Sequence, residues 1–140
     1  MSFYSLWVHV VFSTKSRYPH LVKSLRKTLI QHIIDYASQN NIHVNFINGY
    51  IDHLHLLISM NSNQSIAEVV QLIKGESSHW INKNNFTETK FEWQREYYAS
   101  TISYQDKEEV RNYIRCQEKH HMDRSFDEEM EELLKQNNYQ

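Results

Sequence analysis

The chain has 140 residues and a formal net charge of −2, with 40% hydrophobic and 13% aromatic residues but only two glycines and one proline. That composition argues for a folded globular chain over a disordered one, and the length is enough to bury one core, so a single domain over 1–140 is expected. Cys116 stands alone, which excludes an internal disulfide framework, and no apolar run reaches membrane-spanning length. The opening MSFYSLWVHVVFS lacks the basic segment of a signal peptide, so a cytoplasmic protein with no membrane partner is expected.

The charge is unevenly spread. Residues 1–90 carry a balance of +3 and residues 91–140 a balance of −5, concentrated in DEEMEE at 127–132. A basic surface in the first part therefore remains compatible with a nearly neutral whole.

In chain order, residues 2–14 alternate, with Tyr4, Leu6, Val8, Val10 and Phe12 on one parity, and predict a strand. A basic turn, KSRYPH, follows at 15–20. From Leu21 to Asn40 the apolar spacing becomes helical, at Leu21, Leu25, Leu29, Ile33 and Tyr36. Residues 42–51 and 53–60 predict two strands joined as a hairpin near Gly49 to Asp52. A second helix is predicted over 65–82, and a fourth strand over 91–103. Ser103 to Asp106 has the form of a capping box and opens a helix to about Met122, and Ser125 caps a final acidic helix to about 137. The order β-α-β-β-α-β-α-α predicts an α+β, ferredoxin-like sandwich: a four-stranded antiparallel sheet with helices packed on one face.

The stretch IDHLHLLISM puts His53 and His55 on one side of its strand and Leu54 and Leu56 on the other. Two imidazoles roughly 6.6 Å apart along a strand can converge on one metal ion. They can also be polar residues of a half-exposed strand, the more ordinary reading of an isolated pair, and the spacing by itself leaves both readings open. Tyr113 and Gln117, four apart on a predicted helix, offer a phenol nucleophile and a carbonyl oxygen on one face. Alone, Tyr113 also reads as a core aromatic beside Val110 and Ile114.

Together these segments resemble the HUH single-tyrosine transposases. Asp52-His53-Leu54-His55-Leu56-Leu57 is similar to the family's D-H-x-H-L-L strand. Trp93-Gln94 followed by Tyr97 and Tyr98 resembles its W-Q-x-x-Y segment, and residues 113–121, YIRCQEKHH, resemble its Y-I-x-N-Q-x-x-H-H helix. Phe126, Glu128 and Glu129 match a terminal F-x-E-E.

The resemblance implies a homodimer that binds a hairpin near an element's end and cuts nearby single-stranded DNA. The implied chemistry runs through a 5′-phosphotyrosine. Tyr113 is the implied nucleophile, and His53, His55 and Gln117 are the implied holders of Mg²⁺ or Mn²⁺, in sites often shared between subunits. An alternative is a domesticated relative that binds hairpins and nicks them or does no chemistry.

Cys116 departs from the family's asparagine, and Glu96 from a frequent glycine. His9 and His43 read as outer-face strand positions, and His120 and His121 either as complements to a helix C-terminus or as DNA contacts. Tyr97, Tyr98 and Tyr104 lack a partner of the Gln117 kind. Candidate DNA-backbone contacts are Lys15, Arg17, His20, Lys23, Arg26 and Lys27, then Lys74 and Lys83, with Tyr18 available to stack on an unpaired base.

Overall fold

The computed structural model describes residues 2–121 and 124–137. Four strands, β1 (Trp7–Ser13), β2 (His43–Tyr50), β3 (His53–Ser59) and β4 (Tyr98–Ile102), form one sheet in the order β2-β3-β1-β4, with every neighbouring pair antiparallel. Helix α1 (Lys23–Gln39) connects β1 to β2, and α2 (Ile66–Lys83) connects β3 to β4. Three further helices follow: α3 (Lys107–Arg115), α4 (Gln117–His120) and α5 (Phe126–Asn137). The expected antiparallel α+β sheet is present. Among the described residues, no helix is long and apolar enough to cross a membrane.

One face of the sheet supplies the core. Val10 and Phe12 of β1 stand opposite Leu56 and Leu54 of β3, and all four are at most 1% exposed. Helix α1 covers them with Leu25, Leu29, Ile33 and Ala37, a period of four that matches the sequence spacing. Helix α2 adds Val69, Val70, Ile73 and Ile81. Its start is fixed by Ser65, whose hydroxyl accepts from the Glu68 backbone N–H at 3.1 Å. On β2 the register shifts between Val44 and Phe46, and the bulge at Asn45 lets Val44 and Ile47, three apart, reach the same core.

The other face is also covered. There β1 presents His9, Val11 and Ser13, and β3 presents His53, His55 and Leu57, each no more than 7% exposed. Helices α3 and α4 lie against β2 and β3, while α5 reaches His55 through Glu129. The expectation of helices on one face thus holds for the two crossover helices only. The C-terminal helices close the second face, because that face carries Val11 and Leu57 as well as histidines.

Several boundaries differ from the sequence reading. β1 starts at Trp7, leaving Tyr4 and Leu6 at 53% and 43% exposure, because Tyr4 lies beyond the paired rungs of β3 and β4. Residues 91–97 pair with the sheet only through a Thr14–Trp93 bridge. They instead insert Phe91 and Trp93 into the core, where Trp93 meets Phe12 edge-on at 4.7 Å and its indole N–H donates to Ser77 Oγ at 2.9 Å. Ser103 donates to the Asp106 carboxylate rather than capping a backbone N–H, and a 3₁₀ turn over Tyr104–Asp106 precedes α3. The predicted 103–122 helix breaks at Cys116 (φ −95, ψ 26), and its expected end at Met122 lies outside the described residues. Ser125 does cap α5, accepting from the Glu128 N–H at 3.2 Å.

Candidate active site

The alternation along β3 aims Leu54 and Leu56 into the core and His53 and His55 at the C-terminal helices. Both imidazoles are fully buried, and each has one ring nitrogen already engaged. His53 Nδ1 lies 2.8 Å from Asp52 Oδ1, which makes it the N–H side of the ring. His55 Nδ1 lies 2.9 Å from Nε2 of His9. These contacts fix both rings with Nε2 pointing to one place between β3, α4 and α5.

Two side chains meet the imidazoles there. Gln117, the first residue of α4, brings Oε1 to 3.1 Å from His53 Nε2. Glu129 of α5 brings Oε1 to 3.3 Å from His53 Nε2 and 3.2 Å from both His55 Nε2 and His121 Nε2. Its other oxygen, Oε2, accepts a hydrogen bond from the Tyr113 hydroxyl and one from Gln117 Nε2 at 3.3 Å. Tyr113 is therefore held, through one carboxylate, within the same cluster as the histidines. The Arg124 guanidinium stands 3.4 Å from the tyrosine oxygen.

The burial of this cluster governs its protonation. Desolvation is the largest influence on His9 and His55, and neighbouring imidazoles add to it, so their pKa values fall to about 3 and about 4. His53 moves the other way: burial opposes its charged form, but the Asp52 and Glu129 carboxylates outweigh it. Burial would likewise raise Glu129, yet hydrogen bonds from His121, His53 and His55 hold it well below the usual carboxylate range. Burial, reinforced by the adjacent Glu129 charge, pushes the Tyr113 phenol above its ordinary value.

The donor chemistry fits a divalent cation. His53, His55 and Glu129 place one ligand atom each within 4.8 Å of the others, and Gln117 adds a carbonyl oxygen. Beside the cluster, a cavity of about 490 Å³ is bordered by His9, Tyr98, Tyr113 and Arg124 and opens between β4, α3 and α5.

The candidate residues fall into distinct places. Tyr113, His53, His55 and Gln117 come together. Among the candidate DNA contacts, Lys15 pairs with Glu92 at 3.3 Å and Arg17 with Asp127 at 3.1 Å, both on the surface, and Lys23 and Lys27 face solvent on α1. Arg26, by contrast, is only 7% exposed and bonds the Leu21 carbonyl and Glu118, because its position on α1 faces inward beside Leu25 and Leu29. Lys74 is half-buried and donates to the Gln94 and Arg95 carbonyls, tying α2 to the 91–97 segment. Tyr18 is 55% exposed beside His20, and Lys83 ends α2.

Sequence reasoning missed His9 as the partner of His55, His121 as a neighbour of the cluster, and Glu129 as the acid that joins them. His9 does face outward from the core sheet, but that face is roofed over. His121 stands at the C-terminal end of α4, where its ring packs on Tyr50 and contacts Glu129. Glu129 was legible in one respect. It shares the inward face of α5 with Phe126, Met130 and Leu133, and a lone acid on an apolar stripe signals a buried partner.

A profile of IS200-like transposases matches residues 2–117. The chain belongs to the IS200-like transposase family. Within the family it is 28% identical over 119 residues to the ISDra2 transposase TnpA of Deinococcus radiodurans, covering 81% of this chain and 85% of that protein. Two solved structures share the fold. A Deinococcus radiodurans R1 protein described as a transposase has a TM-score of 0.68 at 24% identity, covering 83% of this chain and 93% of that one. A REP-associated tyrosine transposase bound to a REP hairpin has a TM-score of 0.62 at 16% identity, covering 83% and 72%. The family profile ends at Gln117, so α5 and Glu129 of this IS200-like transposase lie beyond it.

Proposed function

We propose that this transposase cuts and rejoins single-stranded DNA at element ends through a 5′-phosphotyrosine on Tyr113. The observation that carries the reading is the convergence of the Tyr113 hydroxyl with His53, His55 and Gln117 in one buried cluster, drawn from segments up to 64 residues apart. A core tyrosine needs no such company.

In this reading Tyr113 Oη forms a bond to the scissile phosphorus and the bond to the 3′-oxygen breaks. The phenolic proton leaves Tyr113, and the departing 3′-oxygen takes one up to become a hydroxyl. The phosphotyrosine keeps the energy of the broken ester, so the same hydroxyl, or another, can attack and rejoin the strand. His53, His55 and Gln117 would hold Mg²⁺ or Mn²⁺. A bound cation there would supply electrostatic stabilisation of the charge that develops on the phosphate. Asp52 and His9 orient the two rings.

Lys15, Arg17, Lys23 and Lys27 would contact the DNA backbone, and Tyr18 would stack on an unpaired base. A hairpin substrate is supported by the relative bound to a REP hairpin. A homodimer with shared sites belongs to the same reading, although Tyr113 here reaches the histidines of its own chain. The reading sets the protein where its DNA is, in the cytoplasm.

The test uses single strands of both polarities from the DNA flanking the gene, with Mg²⁺ or Mn²⁺. A denaturant-resistant protein–DNA adduct should form, and should vanish in Tyr113→Phe and in chelator. An adduct that survives Tyr113→Phe would remove the tyrosine from this role; hairpin binding with no adduct would leave a binding protein.

A further inference from the structure

The carboxylate of Glu129 is engaged on both oxygens. It is fully buried, and its two oxygens face different neighbours. Oε1 lies within 3.3 Å of three imidazole nitrogens, while Oε2 takes hydrogen bonds from Tyr113 and Gln117. Two of those imidazoles, His53 and His55, have their Nδ1 atoms engaged by Asp52 and His9, so their Nε2 atoms are the ones free to bind an ion.

We propose that Glu129 is itself a ligand of the divalent cation held by His53, His55 and Gln117, and that the bound ion therefore clips α5 onto the sheet. The inference deepens the reading above and rests on it for the identity of the site, while adding a ligand from a different helix. Its geometry is complete: the ligand atoms of His53, His55 and Glu129 all lie within 4.8 Å of one another.

The chemistry of the donors sharpens the proposal. Two neutral imidazoles and a carboxamide bring no charge, and Glu129 brings one negative charge into a buried site that borders the open cavity. Hard, small Mg²⁺ binds through oxygen and keeps much of its water, whereas two imidazoles with a carboxylate suit a first-row ion such as Mn²⁺. Glu129 also becomes a positioning residue for the nucleophile. With Oε1 turned to the ion, Oε2 holds the Tyr113 hydroxyl, so occupancy of the metal site and the aim of the phenol are linked through one side chain.

The closure of α5 is then tied to the ion. On the polypeptide side α5 is held by Phe126, which lies 4.5 Å from the His53 ring, by Asn137, which donates to the Tyr98 hydroxyl of β4 at 3.0 Å, and by the surface pair Arg17–Asp127. Exposed pairs of that kind contribute little. A ligand bond from Glu129 would be the strongest tie between the helix and β3.

The test titrates MnCl₂ into the full, ion-free chain by calorimetry and follows hydrogen exchange over residues 126–137. Ligation by Glu129 predicts that saturating Mn²⁺ slows exchange there at least tenfold, as expected when an ion binds only the closed form. Glu129→Gln should weaken Mn²⁺ binding at least tenfold and remove the slowing. Glu131→Gln, on the exposed side of the same helix, should change neither. Mn²⁺ binding to Glu129→Gln with wild-type affinity would overturn the proposal. So would a wild-type chain whose α5 exchange is unchanged or faster with Mn²⁺, a result that needs no substitution to fold. Neither outcome touches the Tyr113 adduct, which tests strand transfer separately.

Discussion

Oε1 of Gln117 lies 3.1 Å from Nε2 of His53, although 64 residues separate them in the chain. The contact joins the first residue of α4 to the first residue of β3. Gln117→Ala removes that oxygen and leaves the imidazoles in place. It should weaken Mn²⁺ binding by about tenfold or more while the chain still folds. Calorimetry with matched melting curves checks this, and an unchanged affinity would take Gln117 out of the ligand set.

His9 offers no atom to the ion, but it holds the ring of the ligand His55 at 2.9 Å. His9→Phe keeps an aromatic of similar bulk and leaves His55 Nδ1 without its partner. Mn²⁺ affinity should drop about 10–100-fold, the range found when a metal-binding histidine loses the group that holds its other nitrogen. Stability should fall by about 1–3 kcal/mol, from the buried nitrogen left unsatisfied. Urea unfolding together with calorimetry separates the two effects.

The two glycines behave oppositely. A Cβ on Gly49 would lie 2.3 Å from the His53 carbonyl oxygen and 2.7 Å from Leu54 Cδ2, so β2 and β3 cannot keep their spacing. Gly49→Ala should destabilise by about 3 kcal/mol or more. A Cβ on Gly75, exposed within α2, meets nothing within 4 Å, and Gly75→Ala should stabilise by about 0.5–1 kcal/mol. Urea midpoints of the two variants should move in opposite directions.

Acid should loosen the ion-free protein. His9 and His55 have folded pKa values of about 3 and about 4, below the ordinary 6.5, so between those limits the unfolded chain binds protons that the folded chain refuses. Their contribution is lost as pH falls below 6.5. Glu129, held below its ordinary 4.5, adds a loss in the same direction at lower pH. His53 opposes them, since a raised pKa stabilises below 6.5 and fades as pH rises through the raised value. His20 and His120, also lowered by burial, act in the same direction, so four lowered histidines against one raised one give a net fall. The melting temperature in chelator should drop by about 5 °C or more from pH 7 to pH 4.5, and a flat or rising profile would contradict the assignment.

Much of this arrangement is visible in the sequence because it is local. Leu25, Leu29 and Ile33 announce α1 by their spacing, and the alternation around His53 and His55 announces β3. The second face is not visible in that way. Val11 and Leu57 have the wrong parity for the core under α1 and α2, and only the tertiary packing of α3, α4 and α5 shows that they too are buried. Arg26 reads as one more surface cation until α1 is docked and its side chain turns to the Leu21 carbonyl. Glu129 hides in a run of acids whose composition points to solvent. What distinguishes it is a position on the helix face, combined with three histidines that become neighbours only after folding.

The break at Cys116 divides labour along what would otherwise be one rod. Before it, α3 is anchored to β2, where Asn48 donates to the Ile114 and Arg115 carbonyls and Arg111 bonds Asn45 at the bulge. After it, Gln117 is anchored to β3 through His53. A straight helix would move phenol and carboxamide as a single lever. With the joint between them, each half answers to a different strand, the helix of Tyr113 to β2 and Gln117 to His53 of β3.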